Sequence, residues 1–318
     1  MMFSKPLPSL YFRGEKLDTS SIAFAQLRSS RDLLGDREAL QLRMAEDGYL
    51  YLPGLLDREE VLATRTEVLK RLDRLGHLSP DHPLAEGVAK ESTPSILPYL
   101  DDLTGNNPLL DKVLYSGPMI EFYEFYLGGP VRHFDYTWMR VKVAGGMAAT
   151  PPHYDKVYMG RGTPDLYTSW TPLGDVSLVK GGLMILENSH KLEAIKSTYG
   201  QMDVDAYCTN NEEADFVHIQ GKPADPRWPP RVNDGSYTND AAGLPKEVRR
   251  RWLSAEYQAG DVLVFSQFTM HAGMDNQTNR FRLSTDTRYQ LASEPADERW
   301  IGETIIGHGP ESKKGMIC

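Results

Sequence analysis

The spacing of hydrophobic and polar positions changes about a third of the way along the chain. Before that point, Val61, Leu62, Val68, Leu69, Leu72 and Leu75 recur near helical spacing, behind an Asp57/Glu60 pair placed like a capping box. Just upstream, Tyr49-Leu50-Tyr51-Leu52 is closed by Pro53-Gly54 and predicts a short strand feeding that helix. A second helical stretch is predicted over residues 109–127, interrupted at Gly117-Pro118. Residues 77–107, rich in Pro, Ser and Asp, predict irregular chain.

From about Val131 the character is that of strands. Runs at 136–143, 167–172, 183–186, 262–268 and 281–290 are punctuated by Gly145-Gly146 and Gly181-Gly182. The expected fold is mostly β with flanking helices: a jelly roll, or double-stranded β-helix of cupin-like type, with a helical N-terminal third. A single domain over 1–318 is expected, with 1–130 mainly helical, 131–290 the jelly-roll core and 291–318 a tail. Residues 201–255 break the pattern with Pro223, Pro226, Pro229, Pro230 and Trp228, and read as an irregular insert and a candidate lid.

Composition narrows the class without naming a reaction. Hydrophobic residues make up 40% and charged residues 25% of the 318, ordinary for a globular chain. A net charge of −9 gives no electrostatic reason to expect a nucleic-acid partner. Two cysteines, Cys208 and Cys318, are too few for a disulfide framework or a thiolate zinc site. The first residues, Met1-Met2-Phe3-Ser4-Lys5-Pro6, lack the apolar core of a signal peptide, and no stretch is apolar enough to span a bilayer. A cytoplasmic setting is expected; oligomeric state is not legible.

The chemistry sits in a split set: His153-Tyr154-Asp155, His271, and Arg282-Leu283-Ser284. Two histidines and one carboxylate are the ligand set of a non-haem iron(II) oxygenase, leaving other metal positions for co-substrate and O₂. Residues two apart on a strand share a face, so His153 and Asp155 are expected to reach one metal from one strand. A second H-x-D, His133-Phe134-Asp135, competes; it reads as a hydrogen-bonded pair at a strand start, whereas the His153 copy follows Pro151-Pro152. His271 alone would read as a core histidine, but Arg282 lies eleven residues on and shares a strand face with Ser284. Guanidinium plus hydroxyl suits the distal carboxylate of a 2-oxoacid. Arg280 and Arg288 share that face, and one of these arginines is expected to form a surface salt bridge. Arg140 and Lys142 share a face of the preceding strand and suit either an anionic ligand or a surface pair.

The order of these motifs, with Gly181-Gly182-Leu183 leading to Ser189-His190 and with Gly260-Asp261-Val262-Leu263-Val264-Phe265, resembles the phytanoyl-CoA dioxygenase family over roughly residues 42–289. The resemblance implies an iron(II)/2-oxoglutarate-dependent oxygenase on a double-stranded β-helix. It implies His153, Asp155 and His271 as iron ligands, Arg282 and Ser284 as the 2-oxoglutarate clamp, and Trp170 as a wall of that pocket. It further implies oxidation, most simply hydroxylation, of an unactivated C–H bond of a small molecule of lipid, amino-acid or natural-product type, with release of succinate and CO₂. Asp155 fills the place that related halogenases leave to halide. The chain has Tyr154 where many members have Gln, and Glu187-Asn188 where many have Pro-Gly before Ser-His. His190 reads as a turn residue. A silent ligand-binding β-helix protein and a metal-independent cupin-type isomerase using His153 as base are the competing readings.

Overall fold

A computed structural model describes residues 3, 6–94, 97, 101–145, 149–210 and 235–316. Its strands run β1 Tyr11–Phe12, β2 Glu15–Lys16, β3 Phe24–Gln26, β4 Tyr49–Leu52, β5 Val131–His133, β6 Trp138–Lys142 and β7 Tyr167–Pro172. They continue with β8 Leu183–Leu186, β9 Ala206–Cys208, β10 Trp252–Ser254, β11 Val262–Ser266, β12 His271–Gly273, β13 Arg282–Leu291 and β14 Lys314–Met316. One sheet has the order β4-β11-β7-β13-β5, with β6 also paired to β13; a four-stranded sheet has the order β12-β8-β10-β3.

The two sheets face each other. Trp170, Leu263, Phe265, Tyr49 and Tyr51 from the larger meet Leu183, Ile185, Leu253 and Ala25 from the smaller in one buried cluster. Strand alternation then sends Val262, Val264, Leu50, Leu52, Leu283 and Tyr289 to the other face of the large sheet. There they meet helices α1 Arg37–Asp47, α2 Arg58–Arg74, α3 Asp101–Thr104, α4 Pro108–Tyr115 and α5 Gly117–Leu127. This double burial explains why β11 reads as an unbroken apolar run. Helix α2 starts as its spacing predicts: Asp57 accepts from the Glu60 amide at 2.9 Å, and Val61, Val68, Leu69 and Leu72 are buried. Each such side chain contributes about 1.5–3 kcal/mol by leaving water.

Two expectations need correction. Residues 201–255 are not uniformly irregular: a short helix covers Leu244–Val248 and β10 pairs with both β8 and β3. Strand β10 is only three residues long and buried throughout, so it shows no alternation to read. The prolines at 223–230 and Trp228 lie outside the described residues, as does any lid they form. The segment after residue 291 is no loose tail either. Arg299 bonds Asp205 at 2.7 Å and Asp297 at 2.6 Å, Lys313 reaches Asp205 at 2.9 Å, and β14 pairs with β9. Among the described residues no helix is long and apolar enough to cross a membrane.

Candidate metal and co-substrate site

His153 and His271 are joined by a two-way backbone bridge, N to O at 3.1 and 3.2 Å, which sets their rings 4.1 Å apart. Strand geometry ends there. Asp155 has helical angles (φ −62, ψ −28), and its carbonyl accepts from Tyr158 and Met159 at the start of helix α6 Lys156–Met159. The expectation that one strand face carries both His153 and Asp155 is therefore wrong in its local geometry. Tyr154 turns away, buries completely, and donates its hydroxyl to the Ser189 carbonyl at 2.7 Å. That anchor swings the next residue inward by a turn rather than by pleating.

The result brings the donors together. Nε2 of His153 and Nε2 of His271 each lie 3.7 Å from Asp155 Oδ1, and all three residues are buried. Each histidine has its Nδ1 against a backbone carbonyl, Pro151 at 2.8 Å and Thr269 at 3.0 Å. An Nδ1–H donor there leaves the Nε2 lone pair facing the centre, the tautomer a metal requires. Burial, with His153 alongside, pulls His271 down to about 4, so neutral imidazole is the form at neutral pH. Burial opposes charge on Asp155, yet Arg288 and the two histidines together hold its carboxyl well below the usual range. Two imidazole nitrogens and one carboxylate oxygen within 4.8 Å of one another fit a divalent iron ion.

Arg282, Ser284, Asp286 and Arg288 alternate along β13 on its inner face, opposite Lys142 and Arg140 on β6 and Trp170 and Thr168 on β7. Arg282 is buried, donates from Nη1 to Ser284 Oγ at 2.5 Å, and sits 5.9 Å over the Trp170 ring. Its Nε is buried with no hydrogen-bond partner, an orphaned donor that suits an incoming carboxylate. Burial, then Arg140, lowers Arg282 to about 10 against the favourable pull of Asp286. Trp170 also packs on Tyr257 at 4.6 Å, so it is a core residue as well as a floor for the guanidinium. Lys142 is buried beside Arg282, 3.3 Å from Thr150 Oγ1, and burial together with Arg282 and Arg140 drops its pKa far below the lysine range.

The other candidates separate cleanly. Arg280 forms an exposed ion pair with Glu86 at 2.9 Å. Arg140 pairs with Asp286 at 2.7 Å. His133 stacks on Tyr115 at 4.1 Å and stands 3.9 Å from Asp135, and among the described residues the pair belongs to no cluster of three metal-binding side chains. His190 lies in a 3₁₀ turn and contacts the Ala45 carbonyl. Sequence reasoning missed Thr168 and passed over Arg288, both of which bond the second oxygen of Asp155. Their only signal is cross-strand: Arg288 lies directly opposite Thr168. An open cleft of about 1130 Å³ reaches His153 and Asp155 and is lined by Tyr158, Trp138, Trp300 and His308, and also by His133 and Arg140.

Comparison with known proteins shows the family. The family described as phytanoyl-CoA dioxygenase matches residues 44–284. A curated relative, 1-deoxypentalenic acid 11-beta-hydroxylase of Streptomyces exfoliatus, is 31% identical over 271 residues, covering 82% of this chain and 83% of the relative. The protein of the same name from Streptomyces arenae is 29% identical over 279 residues, covering 85% and 87%. A solved structure, the non-heme alpha ketoglutarate dependent carbocyclase SnoK from nogalamycin biosynthesis, superposes with a TM-score of 0.55 at 18% identity, covering 85% of this chain and 90% of that one. At that identity the likeness speaks for the fold alone.

Proposed function

This chain belongs to the phytanoyl-CoA dioxygenase family and is an iron(II)- and 2-oxoglutarate-dependent oxygenase, and from that premise we propose that it hydroxylates an unactivated C–H bond of a small natural-product-type molecule. The relatives' name, a hydroxylase of a small acid, supports that substrate class. The observation that carries the reading is the set of two Nε2 atoms and one Oδ1 converging from a bridge, a turn and β12.

In this reading His153, Asp155 and His271 hold the iron. Arg282 and Ser284 take the distal carboxylate of 2-oxoglutarate, with Trp170 beneath. Bound iron with 2-oxoglutarate supplies the oxidising power, drawing on O₂ and releasing succinate and CO₂. The protein's own part is orientation and exclusion of water. The two pinned imidazoles keep their tautomer, Asp155 keeps its charge, and the aromatic wall of Trp138, Tyr158 and Trp300 places an apolar substrate beside the donors. Because Asp155 supplies a carboxylate donor, halogenation is disfavoured. We read the two-sheet core as a double-stranded β-helix, the whole of 1–318 as one domain, and the setting as cytoplasmic without a nucleic-acid partner.

The test is an anaerobic absorption titration of iron-free protein with iron(II) and 2-oxoglutarate, followed by a substrate screen for succinate release. Wild type should give a charge-transfer band that Asp155→Ala abolishes. The variant should also melt lower, since it leaves Arg288 buried without its partner, at a cost of about 3–5 kcal/mol. A folded wild type without the band would overturn the reading.

A further inference from the structure

Asp155 turns one oxygen to the donor cluster and gives the other to the protein. Oδ2 accepts from the Thr168 hydroxyl and, at 3.1 Å, from Arg288 Nη2. Both ends of this ion pair are about 2% exposed. The Arg288 guanidinium carbon lies 4.2 Å from the centre of the Trp138 ring. Trp138 is in turn backed by Trp300 at 4.6 Å.

Stability alone does not account for this arrangement. Nε and Nη1 of Arg288 are buried without hydrogen-bond partners. A buried guanidinium with two idle nitrogens costs more than an apolar side chain of the same length would. What the arrangement does provide is a fixed carboxylate. The aromatic face sets the guanidinium plane, the ion pair sets one oxygen, and the hydroxyl on the neighbouring strand sets its direction.

We propose that Arg288 is a positioning residue for the metal: with Thr168, and aligned by Trp138, it engages Oδ2 so that Asp155 presents only Oδ1. The inference rests on the metal-site reading above and adds to it a residue outside the ligand set. It also opposes a simple electrostatic view. A cation near a dication repels it, so if charge were the whole effect, removing Arg288 would tighten metal binding. If positioning dominates, removal weakens it even when the charge is kept.

Cobalt(II) alone, without 2-oxoglutarate or substrate, separates these. Its affinity and its visible d–d spectrum are measured for wild type, Arg288→Lys, Arg288→Met, Thr168→Val and Trp138→Leu, with the melting temperature of each metal-free protein beside them. Arg288→Lys keeps the charge but loses the fork and the ring stacking. It should weaken cobalt by roughly 10–100-fold, the usual effect of losing a partner of a ligand, with an altered d–d spectrum. Thr168→Val and Trp138→Leu should weaken it in the same direction. Affinity within twofold of wild type in Arg288→Lys, or tighter binding in Arg288→Met, would overturn the proposal. Should the Arg288 variants fail to fold, Thr168→Val and Trp138→Leu decide it, and unchanged affinity in both sinks it. Failure of the folded wild type to bind cobalt would instead bring down the metal-site reading itself.

Discussion

Replacing Arg282 by Met isolates the co-substrate contact. Arg282 is buried, bonded to Ser284 Oγ, carries an unpartnered Nε, and among the described residues has no carboxylate within ion-pair distance. The nearest acidic influence, Asp286, is already bonded to Arg140. If the missing partner is the distal carboxylate of 2-oxoglutarate, truncation breaks a desolvated charge pair worth about 2–5 kcal/mol. At about 1.4 kcal/mol per decade, 2-oxoglutarate should bind from about 30-fold to several thousand-fold more weakly. The metal-free protein should behave differently. Exchanging an incompletely bonded buried cation for an apolar chain of similar length is often neutral or stabilising, so its melting temperature should hold or rise. Equilibrium dialysis of labelled 2-oxoglutarate against the manganese(II) protein, with calorimetry of the metal-free form, reads both arms. Affinity within threefold of wild type refutes the clamp. A melting temperature lower by roughly 5 °C or more, with binding retained, makes Arg282 a structural residue instead.

His133→Ala should leave cobalt affinity unchanged, because its ring stacks on Tyr115 away from the donor cluster; lost binding would mean that the wrong H-x-D has been assigned. Lys180 is brought down to about 8 by burial, then by Arg65 and Arg280, from an ordinary value of 10.5. Between those values the unfolded chain holds a proton that the folded chain has released, so stability rises with pH across the window and Lys180 is a liability below it. Lys180→Met should therefore stabilise the protein at pH 7 by about 1 kcal/mol after allowing for partial exposure, read as a higher melting temperature, with the gain fading near pH 10.5. An equal gain at both pH values would show that charge is not the cause.

Much of the scaffold was legible because its signals are local. Tyr49–Leu52, Tyr167–Pro172 and Leu183–Leu186 form strands within the bounds their composition suggests. Gly117-Pro118 splits one helical stretch into α4 and α5, with Ser116 extended between them. The convergence of His153, Asp155 and His271 was legible for another reason: two histidines and a carboxylate in that order suit one metal. The turn at Asp155 was not, since three residues cannot show whether a strand continues beyond them. What ends it is Tyr154 bonding Ser189, thirty-five residues away. The C-terminal wall was hidden likewise, because Arg299, next to Trp300, is held by Asp203 and Asp205, and His308 by Asp205, partners that no local pattern announces.

The hardest distinction lay between Arg282 and Arg288. Both occupy even positions of one ten-residue strand, so the two-residue period turns both inward and sequence alone ranks them only by spacing from His271. Register separates them. Opposite Arg288 stands Thr168, beside the Asp155 carboxylate, and the guanidinium finds an acid within the protein. Opposite Arg282 stands Lys142, a buried amine held far below the usual lysine range by burial and by the two neighbouring guanidiniums, and among the described residues no acid forms an ion pair with either one. A buried guanidinium without an anion of its own is a costly arrangement unless a ligand brings one. In the proposed reading the distal carboxylate of 2-oxoglutarate is that anion, and the strand then carries one arginine for the protein's carboxylate and one for the co-substrate's.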